Sequence, residues 1–201
     1  MQHYKLLLYM KKSYFILFLL IFSSLSFCQE ITEDTIQFKY LQKIEYNLLG
    51  LGVNYEAPLN KVLILDSGLG LNAGYTAGSS ISYKKDFLNP TFYIKSELKY
   101  YYNRSQRIKR VNSTDNNAGS YFAFQTKFST KRLFDYEDKL SNVLLNEIHW
   151  GIQRTIYENV LFNFHVGLGH IIDFTTNGGS KYAALGVRFS YILSKKEIKL
   201  W

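Results

Sequence analysis

Between Leu63 and Tyr75 the chain alternates strictly: Leu63, Leu65, Ser67, Leu69, Leu71, Ala73 and Tyr75 fall on one side. Asp66, Gly68, Gly70, Asn72 and Gly74 fall on the other. The same period of two recurs along the chain. Leu49, Leu51, Val53, Tyr55 and Ala57 oppose Gly50, Gly52, Asn54 and Glu56, and Phe92, Ile94, Leu98, Tyr100 and Tyr102 oppose Tyr93, Lys95, Glu97, Lys99 and Tyr101. Phe122, Phe124, Thr126 and Phe128 oppose Tyr121, Ala123, Gln125 and Lys127, and Ile148, Trp150 and Ile152 oppose Glu147, His149, Gly151 and Gln153. Phe162, Phe164, Val166 and Leu168 oppose Asn163, His165, Gly167 and Gly169. Finally Ala183, Leu185, Val187, Phe189, Tyr191 and Leu193 oppose Ala184, Gly186, Arg188 and Ser190. A period of two predicts strands, and no run shows the 3.6-residue spacing of an amphipathic helix.

These seven runs are about 9 to 13 residues long. Strands of soluble sandwiches are shorter, about 5–6 residues, and expose a richly charged face. Here the less oily face is full of glycine. Strands of roughly 9–11 residues suit a tilted membrane crossing. The connections agree: 58–61 and 157–159 read as tight turns, whereas 76–89, 131–142 and 173–181 are longer and polar. Residues 103–118 break the rule as a long polar turn whose Arg104, Arg107, Lys109 and Arg110 suit lipid head groups. Single-chain barrels are normally even-numbered, so an eighth strand is expected near the front. The segment 34–42 supplies it, with Ile36, Phe38 and Tyr40 alternating with Gln37 and Lys39 and a tight turn at Lys43–Tyr46. The expected fold is all-β: an antiparallel transmembrane β-barrel of about eight strands in an up-and-down meander. The tail 194–201 either extends the last strand to Trp201 or hangs beyond it.

A bilayer offers no partner to an open sheet edge, so such a sheet must close. The oily face then meets lipid and the glycine-rich face meets a lumen that eight strands leave just wide enough for side chains to fill. The charges on that face come in both signs: Glu56, Asp66, Glu97 and Glu147 against Lys95, Lys99, Lys127 and Arg188. Isolated buried charges are costly, so these eight are expected to pair as a lumen network. Tyr100–Tyr102 suit an aromatic girdle at the membrane interface.

The ends and the composition sharpen the address. Residues 1–28 read as a cleaved secretory leader, with Lys5, Lys11 and Lys12, an apolar run and small residues before Gln29. This leaves 29–201 as the barrel domain. A lipid-modified Cys28 is the weaker alternative, because bulky Phe27 precedes it. Net charge is +8, and the leader's three lysines account for part of it, leaving +5. In an exported chain such a surplus points to anionic lipid rather than nucleic acid. The alternating strands, the leader, and Tyr100-Tyr101-Tyr102-Asn103 followed by a basic turn and "NNAGSYFAF" resemble a small outer-membrane β-barrel protein, of uncharacterised type, from Gram-negative bacteria. The resemblance spans roughly 45–193 and implies a cell outer membrane location, with outer-membrane lipid, lipopolysaccharide and the barrel-assembly machinery as partners. It implies no reaction.

Candidate chemistry is sparse. A Glu-His-Ser relay would need a base, an orienting carboxylate and a hydroxyl together, but no spacing unites His149, His165, His170, Glu147 and Ser129. Glu147, His149 and His165 as metal ligands rest on two histidines of separate strands. "GLGLNAG" matches no phosphate-loop spacing. The expectation is a non-enzymatic barrel, structural or loop-presenting, with no catalytic, cofactor or metal residue. The alternatives are an outer-leaflet enzyme resembling lipid A acyl hydrolases, or a narrow pore.

Overall fold

The computed structural model describes residues 38–77, 81–84, 90–110, 114–132 and 140–198. The expected leader, the start of the first expected strand and Trp201 lie outside them. Eight strands close into an antiparallel barrel: β1 (Phe38–Asn47), β2 (Gly50–Pro58), β3 (Leu63–Asn72), β6 (Thr91–Tyr100), β7 (Gly119–Arg132), β8 (Val143–Tyr157), β9 (Val160–Asp173) and β10 (Gly178–Ile198). Each pairs with the next along the chain, and β10 pairs with β1, so the order is a closed meander. A separate hairpin, β4 (Gly74–Ala77) and β5 (Ile81–Lys84), is spliced between β3 and β6. Phe38 faces Ile198, which puts the first and last strand ends at one mouth, called here the terminal mouth.

Local chemistry sets the turns. Asn47 Oδ1 accepts the Leu49 N–H at 2.9 Å, and Asn60 Oδ1 accepts the N–H groups of Val62 and Leu63 at 2.9 and 2.8 Å. Both are side-chain mimics of a backbone turn. The first of them corrects the expected turn at Lys43–Tyr46. That stretch is strand, with Lys43 and Glu45 inward and Ile44 and Tyr46 outward, and the chain turns at Leu48–Leu49. A second correction concerns Ala73 and Tyr75, which continue no oily face. The backbone leaves β3 after Asn72, and Tyr75 turns inward against Val143, Leu145 and Ile171. The β9–β10 connection shrinks to 174–177, because both strands continue beyond their expected ends. The last strand takes in the tail as far as Ile198. Residues 103–118 hold a short helix α1 (Arg104–Lys109) and a 3-10 turn (Asp115–Asn117) where no helix was expected.

One row of the register runs from Ile44 through Val53, Leu69, Ile94, Phe128, Leu144 and Ile172 to Gly179. Ile44 itself faces Tyr191, so the circuit closes twelve residues away, from 179 to 191. Stagger, tilt and width are linked, and a large stagger widens the barrel. The faces separate cleanly. Ile44, Leu51, Leu69, Ile94, Phe124, Ile148, Leu168 and Leu185, one from each barrel strand, all stand exposed on the outside. Inside, glycine makes room for rings: a Cβ on Gly151 would meet the Tyr121 ring at 2.5 Å, and one on Gly186 would meet His165 Nε2 at 2.6 Å.

Candidate functional site

The lumen has two layers. Toward the terminal mouth, Lys43 Nζ donates to Glu56 Oε1 (2.7 Å) and Asp66 Oδ2 (2.9 Å), and Lys99 Nζ donates to the same two oxygens at 2.9 and 2.7 Å. Four fully buried charges thus form a closed square, which Asn54, Gln153 and Asn117 complete: each places an amide against one of the carboxylates. Asn117 also donates to the Lys39 carbonyl (2.8 Å), and Asn116 donates to the Glu158 carbonyl (3.0 Å). Both asparagines have positive φ, 62° and 51°, a conformation asparagine tolerates better than most residues. The 3-10 turn is thereby laid across the mouth as a stopper. Arg104, expected at lipid head groups, is instead buried there beside the Tyr101 ring, 5.7 Å from its centroid. Tyr101 is buried as well, and only Tyr100 and Tyr102 face out as a girdle would.

Above the square, Arg188 makes a two-pronged contact with Glu97 (2.7 and 3.1 Å), and Lys95 Nζ donates to Glu45 Oε1 (2.5 Å). His149 Nε2 lies 3.0 Å from Glu97 Oε1. A carboxylate only accepts, so Nε2 carries the hydrogen, and in the neutral ring Nδ1 is left as a bare lone pair. Tyr121 and Asn163 close the layer, with the Tyr121 hydroxyl donating to Asn163 Oδ1 at 2.8 Å.

The second layer is open. A cavity of about 340 Å³ occupies the half of the lumen away from the terminal mouth. Glu45, Lys95, Lys127, Glu147, His165 and Arg188 line its floor and walls, and Tyr75 and Tyr93 line it with rings. This corrects the expectation of a lumen filled throughout: the wide stagger leaves space that the side chains of this half do not occupy. Lys127 Nζ donates to the Tyr75 hydroxyl (3.0 Å) and sits 4.3 Å from the Tyr93 ring centroid. Glu147 accepts from Tyr182 (2.6 Å) and Gln125 (3.1 Å). The cavity also reaches the wall. β1 ends at Asn47 opposite Arg188, so Ala183–Val187 of β10 have β9 as their one strand partner among the described residues. Leu48, Leu49, Ala183, Leu185 and Val187 frame this notch.

All eight charges expected in the lumen face inward. Six of them join direct ion pairs, whereas Lys127 and Glu147 have no Lys–carboxylate or Arg–carboxylate partner within 4.0 Å among the described residues. The expectation missed Lys43 and Glu45, which pair in the lumen with Glu56 and Asp66 and with Lys95. Their signal was legible as Lys43 and Glu45 alternating with Ile44 and Tyr46. Ser129 and His170 do not meet: Ser129 is buried and hydrogen-bonded to Thr91 (3.2 Å), while His170 is exposed on the opposite face. Glu147, His149 and His165, by contrast, come together, with one ligand atom from each lying within 4.8 Å of the others. In comparisons with known proteins, no family model and no curated protein matches the chain.

Proposed function

We propose that the chain is a non-enzymatic outer-membrane β-barrel protein of a Gram-negative bacterium, sealed at its terminal mouth and presenting its cavity and loops to the outside. The belt of outward apolar side chains carries this reading. Leu168, Ile148 and Leu185 are 74, 68 and 67% exposed, and every barrel strand contributes to the belt. A monomer in water rarely carries a contiguous apolar surface on this scale, whereas hydrocarbon contact stabilises each such side chain by about 1.5–3 kcal/mol. The leader 1–28 would direct export. The terminal mouth would lie in the periplasm, with β4–β5 and the notch at the outer leaflet. The stopper and the buried square argue against a through-pore. Partners are then outer-membrane lipid, lipopolysaccharide and, during insertion, the assembly machinery.

The notch favours a second reading. An acyl chain leaving the outer leaflet between Leu48 and Leu185 would enter the cavity sideways, as a lipid-modifying enzyme requires. One experiment separates these. The protein is expressed in a Gram-negative host, membranes are fractionated, and unboiled and boiled samples are run on a denaturing gel. Outer-membrane partition, a mobility shift on boiling and unchanged acyl chains in the lipid extract are expected. Lost acyl chains would establish the second reading. A soluble protein without the shift would overturn both.

A further inference from the structure

We propose that Glu147, His149 and His165 form a binding site for a divalent transition metal of the zinc class at the floor of the cavity. The inference concerns the inside of the barrel and does not depend on what surrounds it. Glu147 and His149 are two residues apart on β8, so both point inward, and His165 reaches the same spot from β9, where it faces Gly151. Gly186 on the next strand leaves the space into which the His165 ring settles. The rings of His149 and His165 lie 4.4 Å apart between centroids.

Three observations point to a cation. First, Glu147 Oε2 lies 3.8 Å from His149 Nδ1 and 3.9 Å from His165 Nε2. Tetrahedral ligands at bonds of about 2.1 Å stand about 3.4 Å apart, so a bound ion needs these two pairs to close by roughly 0.5 Å each, and the pair of histidine nitrogens, which lies within 4.8 Å, to close as well. Second, His149 is 2% exposed and its Nδ1 has no hydrogen-bond partner, although it is directed at Glu147. Its other nitrogen is held by Glu97 at 3.0 Å. A carboxylate fixing one imidazole nitrogen while the other faces the ion is the usual outer support of a metal-bound histidine. Third, Glu147 is the lumen carboxylate without a lysine or arginine within 4.0 Å among the described residues. A buried carboxylate outside a direct ion pair is costly, and a divalent ion offsets it. Two imidazoles with one carboxylate suit zinc and its first-row neighbours better than magnesium or calcium, which take oxygen ligands. The cavity leaves room for water or a small ligand at the remaining coordination positions.

The test uses the full chain, purified folded in detergent, stripped with chelator and dialysed. Zinc is titrated in competition with a chromophoric chelator, and cobalt is added separately for its visible absorption. We expect one equivalent of zinc at micromolar affinity or tighter and an intense four- or five-coordinate cobalt spectrum. Glu147→Gln and His165→Ala should each weaken binding more than about 100-fold, beyond the roughly 10–100-fold that loss of an orienting partner costs. The boiling shift on a gel shows which variants are folded, and the isosteric Glu147→Gln keeps the test decisive if His165→Ala misfolds. His170→Ala, on the outer face, should bind as the parent does. Folded parent protein that takes up no zinc, or zinc lost with His170 and retained in Glu147→Gln, would sink the proposal.

Discussion

The two halves of the lumen are built from the same strands by the same alternation, yet one is locked and the other is loose. Toward the terminal mouth, Lys43, Glu56, Asp66 and Lys99 each contact two opposite charges, and Asn117 seals them from below. In the other half Tyr75, Lys127 and Glu147 surround a cavity, and the last two have no direct ion pair among the described residues. The difference shows where a small barrel places its strength. Charge pairs confined by neighbouring strands fill the floor, and the open space is left to the half whose charges are not directly paired.

The largest expected effect is therefore in the floor. Asp66 Oδ2 accepts from both Lys43 and Lys99, and Oδ1 accepts from Asn54. Asp66→Asn keeps the shape and removes the charge, which leaves two buried ammonium groups sharing Glu56. Breaking a buried pair from one side costs about 3–5 kcal/mol. The urea midpoint of the boiling-sensitive gel form should fall accordingly. A midpoint that stays put would mean the square does not hold the barrel together.

Tyr75→Ala probes the loose half. The ring packs on Val143, Leu145 and Ile171, and its hydroxyl meets the Asn72 amide at 3.1 Å. Removing a large buried ring typically costs 3–5 kcal/mol, and a site bordering a cavity belongs at the low end, roughly 3 kcal/mol. The cavity should widen while planar-bilayer conductance remains at background, because the floor is intact. Conductance in this variant would show that Tyr75, and not the charge square, is the barrier.

How much of this was legible follows the same division. Alternation exposes which side of a strand is oily, and so it located the outward faces of β2 and β6–β10 and the inward charges on them. It failed in β1 and at the end of β3. In β1 the alternation is unbroken, with Leu41, Lys43 and Glu45 inward against Ile44 and Tyr46 outward, but the polar run of charges there resembled a turn. After Asn72 the backbone bends inward, which reverses Tyr75 with no change in the local residue pattern. The stagger of the barrel depends on pairing between distant strands and leaves no mark on any single run. Without it the cavity was not legible. Glu147, His149 and His165 could be raised as ligands from the sequence, and the diagonal register of the β8–β9 hairpin is what brings the two rings together.

Lys127→Met is the smallest expected effect and the sharpest on the comparison. The ammonium is held by the Tyr75 hydroxyl and the Tyr93 ring, and no carboxylate lies within ion-pair distance among the described residues. Methionine keeps the length of the stem and stays in contact with both rings, a contact its sulfur favours. The hydrogen bond to the Tyr75 hydroxyl is lost, about 1 kcal/mol net, and with it the favourable contact of ammonium with ring, about 2 kcal/mol at most when desolvated. The burial penalty of the same ammonium disappears with it, and replacing buried charge by a well-packed apolar group is often neutral. The two changes oppose each other, so the urea midpoint should correspond to a difference below about 1 kcal/mol, against several for Asp66→Asn. Zinc affinity should rise as well, since a like charge leaves the cavity that the ion shares. A loss as large as that of Asp66→Asn would show that Lys127 is locked to Glu147 after all, and that both halves of the lumen are held by charge.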